Sequence, residues 1–233
     1  HPRTHWDEKI AIIGAGPAGL ACAYYLATIG YLPTVFEKSK RPGGMMTYGI
    51  PSYKLEKDVI DAEIEILKDL GVEIKCGVEV GKDVTIQELK KQGFEAFYIA
   101  IGCQGGKLPG IPGEDAKGVE IAVDFLHNAT ENQNKKLNGP TIVVGGGNVA
   151  VDCARTAKRF GASSVSMVCL EKRDEMTASK EEISETLEED IQILNSWGPK
   201  EIVKNTDGTI KSIIFKKCVN VKNAEGKFAP TYD

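Results

Sequence analysis

The sequence predicts an α/β protein that contains the same strand–turn–helix–strand unit twice. Each copy starts with a short apolar run, breaks on closely spaced glycines and continues with the apolar periodicity of a helix. The first copy is KIAIIGAGPAGLACAYYLATIG and the second is TIVVGGGNVAVDCARTAKRFGA. Because this unit is typical of dinucleotide-binding folds, we predict two Rossmann-like domains.

The pattern of the first copy predicts the beginning of a β-α-β fold. We predict a strand at Lys9–Ile13, a glycine turn at Gly14–Gly19, a helix at Pro17–Ile29 and a second strand at Thr34–Phe36. A loop over Arg41–Leu55 follows, and its glycine, proline and tyrosine content makes it more than a simple connection.

The rest of the first domain is predicted to contain two helices and several short strands. The helix after the loop ends at Gly71, and its apolar face carries Val59, Ile60, Ile64, Leu67 and Leu70. Short strands within Val72–Val80 and a small helix at Ile86–Lys91 come next. We expect the apolar run AFYIAIG, which ends at Gly102, to be a strand buried on both faces.

The segment over residues 103–118 is rich in glycine and proline, which predicts a boundary between domains. We place the cut so that the domains are 1–110 and 111–233. In the second domain we predict a strand at Thr141–Val144, a turn at Gly145–Gly147, a helix at Asn148–Phe160 and a strand at Ser164–Leu170. An acidic surface helix and strands joined at Asp207-Gly208 and Glu225-Gly226 follow.

Composition limits the partners of this protein. A net charge of -4, a pI near 5.6 and 7% aromatic residues argue against nucleic acid. No apolar stretch approaches the roughly 20 residues that span a bilayer, so we expect no membrane insertion and a cytoplasmic protein. The six cysteines form no C-x-x-C motif and have no histidine at metal-ligand spacing, so we expect buried, reduced thiols and no metal site.

The first glycine turn matches G-x-G-x-x-G after a strand and before a helix. Gly14 allows the tight turn, Gly16 lets a pyrophosphate approach the backbone, and Gly19 packs the helix on the strand. Glu37 follows at the end of the second strand, where a carboxylate can accept hydrogen bonds from ribose hydroxyls. The simpler alternative is a tight turn with a solvated glutamate.

The second turn, Gly145 to Ala150, matches the G-x-G-x-x-A form, and Glu171 lies at the corresponding strand end. Glu171 favours a free 2′-hydroxyl and repels a 2′-phosphate, whereas Lys172 and Arg173 can pair with a phosphate. NAD(H) is favoured because the acid occupies the strand end itself. Lys172 and Arg173 can equally be a solvated basic pair.

Two such turns in one chain indicate hydride transfer, because a donor and an acceptor dinucleotide each need a pyrophosphate cradle. One site would hold FAD and the other a nicotinamide nucleotide.

Five segments resemble the pyridine-nucleotide-dependent flavoproteins typified by the small subunit of glutamate synthase, with relatives in dihydropyrimidine dehydrogenase and in the electron-bifurcating NADH-dependent ferredoxin:NADP oxidoreductase. These segments are GAGPAGL at 14–20, GGMMTYGIPSYKL at 43–55, AIG at 100–102, GGGNVAVDCARTAKRFGA at 145–162, and the residues Glu175, Met176 and Ala178. The Y-G-I-P loop and the G-G-G-N-V-A helix are not general Rossmann features. The resemblance implies that the second domain is inserted into the first.

The resemblance also implies where the cofactors bind. FAD would be held in the first domain by Gly14, Gly16, Pro17, Ala18, Gly19, Glu37, Lys38, Gly43, Gly44, Met45, Tyr48, Gly49, Ile50, Val80, Ala100, Ile101 and Gly102. NAD(P)H would be held in the second domain by Gly145, Gly146, Gly147, Asn148, Val149, Glu171, Lys172 and Arg173. No catalytic acid or base is expected, because the flavin accepts the hydride and the protein supplies orientation and electrostatics.

The resemblance further implies an electron-transfer partner. The family has a cysteine-rich N-terminal domain that binds iron–sulfur clusters, and a return segment of the FAD domain that should follow Asp233; this sequence contains neither. We therefore expect electrons to pass to iron–sulfur clusters of that further region or of a partner subunit, within a hetero-oligomer.

Two alternatives stay open: a flavin-binding structural subunit without its own turnover, and the NADPH-dependent small subunit of glutamate synthase. A thioredoxin-reductase-like enzyme is disfavoured because it needs a redox-active C-x-x-C, and Cys103 is a lone thiol. A hydrolase has no support, since no nucleophile elbow accompanies His1, His5 or His127.

Overall fold

The computed structural model describes residues 5–132, 134 and 136–233. It divides into two compact units, His1–Gln104 and Gly105–Asp233. The division lies a few residues before the predicted cut and inside the predicted boundary segment. The insertion of one domain into the other stays a prediction, as does the cofactor of each domain.

The first unit contains a four-stranded parallel sheet. Its strands are β1 (Lys9–Ile13), β2 (Thr34–Glu37), β3 (Glu73–Cys76) and β4 (Phe94–Ile99), in the order β3-β2-β1-β4. Since β1 lies in the middle of the sheet, the glycine turn that follows it is held by strands on both sides. The Gly14 N–H donates to Phe36 O (2.8 Å), and the Ala100 N–H donates to Ile13 O (2.8 Å).

The helices of the first unit are α1 (Pro17–Thr28), α2 (Met45–Tyr48), α3 (Lys57–Asp69) and α4 (Ile86–Lys91). α1 and α3 pack on one face of the sheet, where Ile12 and Val35 are fully buried. A second cluster forms around Phe36, Leu89 and Phe94, beneath α4. The buried positions of α3 recur at helical spacing, so the predicted apolar face is confirmed at Ile60, Ile64 and Leu67.

The second unit contains a parallel sheet of β5 (Thr141–Val144), β6 (Val165–Cys169) and β7 (Gln192–Asn195), in that order. Its helices are α5 (Ala122–Glu131), α6 (Asn148–Arg159) and α7 (Lys180–Glu188), and a 3-10 turn spans Arg173–Glu175. An antiparallel sheet follows, made of β8 (Trp197–Lys204), β9 (Ile210–Lys222) and β10 (Phe228–Tyr232). The predicted hairpin connections at Gly208 and Gly226 therefore join real strands.

A buried arginine ties α6 to α7. Arg155 is 7% exposed, and its guanidinium contacts three carboxylates of the α7 region: Glu182 at 3.8 Å, Glu185, and Glu189 at 2.8 Å. Arg159, one turn further along α6, also pairs with Glu189 at 2.6 Å. The acidic surface helix predicted from the sequence is thus held to the helix that starts at the second glycine turn.

Three sequence expectations are wrong in detail. The strand predicted to be buried on both faces is β4, an edge strand: Tyr98 is 43% exposed and Ile99 is 55% exposed. Val59 is half exposed, because it lies one position off the buried stripe of α3. The sequence predicts buried thiols, but Cys103 is exposed in the connection after β4, and Cys22 and Cys76 are only partly buried.

In the part of the chain that the structure describes, no helix is both long enough and apolar enough to cross a membrane. Among the same residues, no group of three or more histidine, cysteine or acidic side chains is placed to hold a metal ion.

Candidate nucleotide-binding sites

The first glycine turn has no room for side chains at its two ends. Gly14 has φ +107, a conformation that L-residues rarely adopt, and a Cβ there would lie 2.3 Å from Ala100 O. A Cβ at Gly19 would lie 1.9 Å from Gly14 O. Both glycines are therefore required by the close packing of β1, β4 and α1.

Gly16, between them, is different. Its backbone is extended (φ -77, ψ -177), and among the described residues an added Cβ would meet only Gly44 Cα, at 3.9 Å. Gly16 is the N-cap of α1, which has Pro17 at its start, no acidic residue in its first turn and no side-chain cap among the described residues. The N–H groups of such a helix end attract an anion, and the space beside Gly16 lets that anion approach.

Glu37 lies at the end of β2 and is only 7% exposed. Its Oε2 accepts a hydrogen bond from the Ala15 N–H (2.8 Å), and its Oε1 accepts one from the Ser39 N–H (2.8 Å). The solvated glutamate of the simpler alternative is therefore wrong. A carboxylate has about four lone-pair sites, so each oxygen of Glu37 keeps an acceptor site for a hydroxyl.

The loop after β2 closes onto the glycine turn. The Gly43 N–H donates to Ala15 O (2.7 Å). A Cβ at Gly44, where φ is +55, would lie 2.8 Å from Gly16 Cα. The glycine pair predicted from the sequence thus lets two backbone segments touch, and the loop becomes part of the same cradle.

Side chains from α3 hold this loop from its other side. Lys57 donates from Nζ to Met46 O (2.7 Å) and to Ile50 O (2.5 Å). Burial, and then the charge of Arg41, lower the pKa of Lys57. Arg41 donates from one guanidinium nitrogen to both oxygens of Asp61 (2.9 and 2.7 Å). Sequence reasoning missed these anchors, although the stretch KDVID follows the quoted loop motif with only Glu56 between them.

Hydrogen bonds within the loop fix its short helix α2. Thr47 is 1% exposed, and its hydroxyl donates to Pro42 O (2.7 Å). The Tyr48 hydroxyl accepts from the Arg41 N–H (2.9 Å), and its ring is buried. Tyr48 therefore supports the loop from within.

The other predicted residues of the first unit lie in varied surroundings. Gly43, Tyr48 and Gly49 are buried, and Gly44, Met45, Ile50 and Ala100 are partly buried. Pro17, Ala18, Lys38, Ile101 and Gly102 are exposed. Val80 packs beside the cluster of Phe36, Leu89 and Phe94, and its backbone bridges to Val84.

The second glycine turn connects β5 to α6. Gly145 has φ +147 and donates its N–H to Val168 O (2.9 Å). A Cβ at Gly146 would lie 2.9 Å from the Cβ of Cys169 and 2.9 Å from Oε2 of Glu171. Gly147 is the N-cap of α6, which has no acidic residue in its first turn and no side-chain cap among the described residues.

Glu171 therefore lies over the turn, as predicted for an acid at the strand end. Its carboxylate is close to Gly146, and its carbonyl accepts hydrogen bonds from the Ser196 N–H (3.1 Å) and from Asn195 Nδ2 (3.1 Å). Lys172 and Arg173 follow in the chain and are exposed.

Burial, and then the charge of Glu171, raise the pKa of Cys169 to about 11, so its thiol stays protonated at neutral pH.

A segment that sequence reasoning did not assign also contacts the second turn. The Ala178 N–H donates to Gly146 O (3.1 Å). The Ser179 N–H donates to Oδ1 of Asn148 (2.9 Å), while the Ser179 hydroxyl caps α7. Ala178 belongs to the quoted E-M-x-A resemblance, which was the available signal. Val149, in contrast, is half exposed at the start of α6.

Both cradles fit a dinucleotide. Each offers a helix N-terminus without a side-chain cap, a strand-end carboxylate within reach of the turn, and glycines where a Cβ would clash or would fill the approach. Gly14, Gly16 and Glu37 would hold one dinucleotide, and Gly145, Gly146 and Glu171 would hold the other.

Comparison with known proteins finds a family match over most of the chain. The family described as pyridine nucleotide-disulphide oxidoreductase matches residues 8–227. The chain is 38% identical over 213 residues to the glutamate synthase [NADPH] small chain of Halomonas elongata, covering 86% of this chain and 44% of that protein. It is 38% identical over 205 residues to the NAD-dependent dihydropyrimidine dehydrogenase subunit PreT of Escherichia coli, covering 88% of this chain and 49% of that protein.

Solved structures show the same fold. Mycobacterium tuberculosis FprA in complex with NADPH superposes with a TM-score of 0.83 at 19% identity, covering 100% of this chain and 67% of that chain. The present chain spans less than half the length of the curated relatives described above.

Proposed function

The chain belongs to the pyridine nucleotide-disulphide oxidoreductase family, whose members bind FAD and NAD(P), and we propose that it is the FAD- and nicotinamide-binding part of an NAD(P)H oxidoreductase. The observation that carries this proposal is the pair of glycine cradles, each with a glutamate placed at its turn. When bound, FAD would accept a hydride from NAD(P)H and pass the electrons on.

In the first unit, the chain's own groups bind and orient the flavin nucleotide. The N-terminus of α1 faces the space beside Gly16 and suits the pyrophosphate. Glu37 is held by two backbone N–H groups and directs its free lone pairs to ribose hydroxyls. The loop at 43–50, fixed by Lys57, supplies a wall that does not need to reorganise when the cofactor arrives.

In the second unit, the turn at Gly145–Gly147 and Asn148 bind the pyrophosphate of the nicotinamide nucleotide. Glu171 favours NAD(H), because a carboxylate at this place accepts from a 2′-hydroxyl and repels a 2′-phosphate. The relatives include both an NADPH protein and an NAD-dependent one, so the choice depends on the residues of this chain. Lys172 and Arg173 are the groups that would favour NADP(H) instead.

The electrons leave through iron–sulfur clusters of a partner subunit or of a further domain. Support comes from the relatives, which are named as a small chain and as a subunit. The protein thus functions within a hetero-oligomer. The structure's cysteines are free thiols, the state that the cytosol maintains, which supports a cytoplasmic location.

Anaerobic titration tests this proposal. The FAD-loaded protein is titrated separately with NADH and with NADPH, and the visible absorption of the flavin is followed. We expect NADH to bleach the flavin more readily than NADPH. A bound flavin that neither nucleotide bleaches would favour the structural subunit without turnover.

A matched pair of variants locates the flavin site. Gly16→Val fills the space beside the turn, where the nearest atom is 3.9 Å from the added Cβ, so the fold is kept while the pyrophosphate is excluded. Gly139→Val adds the same side chain at a glycine with open surroundings. FAD should be lost from the first variant only; equal FAD retention by both would refute the cradle at Gly16.

A further inference from the structure

We propose that Asn195 is a positioning residue that sets the preference between NADH and NADPH by fixing the chain at Glu171. This inference rests on the proposed nucleotide-binding function of the second unit. It concerns a residue that lies outside the glycine motif, at the end of the neighbouring strand β7.

Asn195 contacts the end of β6 at two points. Its Nδ2 donates to Glu171 O (3.1 Å) and to Sγ of Cys169 (3.2 Å). The next residue, Ser196, donates its backbone N–H to the same Glu171 carbonyl (3.1 Å). Two donors from one corner of the chain therefore converge on the backbone of the acidic residue.

The corner that supplies these donors is itself firmly held. Ser196 has φ +65, a left-handed conformation that costs energy for a residue with a side chain and persists only where the surroundings impose it. Its carbonyl accepts from the Cys218 N–H (2.8 Å) in β9. A Cβ on Gly198 would lie 2.8 Å from Cδ2 of Leu170. The corner is thus packed closely against residue 170, directly before Glu171.

Nucleotide choice follows from this geometry. The backbone at Glu171 decides whether its carboxylate lies at Gly146 or turns away. With Asn195 in place, the carboxylate occupies the side of the turn where a 2′-phosphate would be repelled. Without that donor, the carboxylate can turn away from Gly146, so a 2′-phosphate is repelled less.

The test measures dissociation constants for NADH and NADPH by anaerobic calorimetry on the FAD-loaded, full-length protein, whose flavin is first reduced with dithionite so that neither nucleotide transfers a hydride during the titration. Asn195→Ala removes the donor, and Asn195→Leu removes it while keeping a side chain with the same branching at Cγ, so that the site stays filled. Gln192→Ala, at an exposed position of the same strand, is the control. We expect the ratio of the NADPH constant to the NADH constant to fall about fivefold in both Asn195 variants, the value of one ordinary hydrogen bond.

A double-mutant cycle distinguishes positioning from general stability. In a Glu171→Gln background, the carboxylate is gone, so Asn195→Ala should no longer change the ratio. An equal weakening of both nucleotides by Asn195→Ala, or a ratio change that persists with Glu171→Gln, would overturn the inference. A wild-type protein that binds neither nucleotide would instead refute the proposed function of the second unit.

Discussion

Gly14 provides the sharpest test of why the first turn needs glycine. Gly14→Ala places a methyl group 2.3 Å from the backbone oxygen of Ala100 in a residue with φ +107. Gly81 has nearly the same φ, +101, but an added Cβ there meets nothing within 4 Å. Gly81→Ala is therefore destabilised by the backbone conformation alone, and Gly14→Ala is destabilised by the conformation and by the clash.

The two contributions can be separated numerically. A left-handed alanine costs about 1–2 kcal/mol, which is the whole loss expected for Gly81→Ala. Forcing a methyl group into packed backbone costs about 1–3 kcal/mol more, so Gly14→Ala should lose about 2 kcal/mol beyond its control. The clash lies between the end of β1 and the residue after β4, and the two strands must separate locally to relieve it.

Hydrogen–deuterium exchange of the peptides over β1 and β4 measures the opening free energy of the first unit directly. We expect faster exchange in Gly14→Ala than in Gly81→Ala, by a factor of about 30 for 2 kcal/mol. Equal exchange in the two variants would refute the argument that the approach of Ala100, and not φ alone, excludes side chains at Gly14.

Four further outcomes follow from single side chains of the two units. Glu37→Gln should destabilise the first unit by about 2 kcal/mol and weaken FAD binding, because an amide group then faces a backbone donor; denaturation and FAD titration measure this. Lys57→Met should weaken FAD binding about tenfold and speed exchange in the 43–50 loop, because two carbonyls lose their donor. Iodoacetamide at about pH 8 should label the exposed Cys103 but not Cys153 or Cys169, whose pKa values burial raises to about 12 and about 11. The folded state raises the pKa values of both thiols above the ordinary value of 9.0, so it favours their protonated forms. The stability that the two protonated thiols contribute is therefore complete below about pH 9 and is lost as the pH rises toward 12.

Each of these predictions has a control variant or a result that would refute it. Glu73→Gln, an exposed carboxylate on the neighbouring strand β3, should leave FAD affinity unchanged. Lys40→Met removes an exposed lysine beside the same loop and should do the same. If Glu37→Gln or Lys57→Met behaves like its control, that side chain does not support the cradle. Rapid labelling of Cys153 in the folded protein would contradict its burial, and a second unit that stays equally stable up to about pH 11 would contradict the pKa shifts.

The sequence predicted the local elements well, because each has a strong short-range signal. β1, β5 and α4 begin and end at the predicted residues. α4 illustrates why: Thr85 and Glu88 form a reciprocal capping box, which fixes the start of a helix from within four residues. The failure at β4 has the opposite origin. Its apolar run resembles a central strand, but whether a strand lies at an edge depends on its neighbours in the sheet, which the run itself does not specify.

The same difference between short-range and long-range signals applies to the candidate sites. Gly14, Gly16 and Gly145 could be predicted because the strand–turn–helix motif that contains each of them is contiguous in the sequence. Lys57 and Asn195 could not, since each acts on residues that are distant in sequence or belong to another strand, and neither residue type signals a nucleotide site. For Lys57 the partners are main-chain carbonyls, and such partners leave no trace in the pattern of side chains.

The ion pairs of Arg155 make α6 and α7 unequal in their tolerance of mutation. Arg155 is one buried cation shared by Glu182, Glu185 and Glu189. Loss of any one glutamate leaves the guanidinium with other carboxylates, whereas loss of the arginine leaves several carboxylates to repel one another. Single substitutions of these glutamates should therefore be tolerated, whereas substitution of Arg155 on α6 should not.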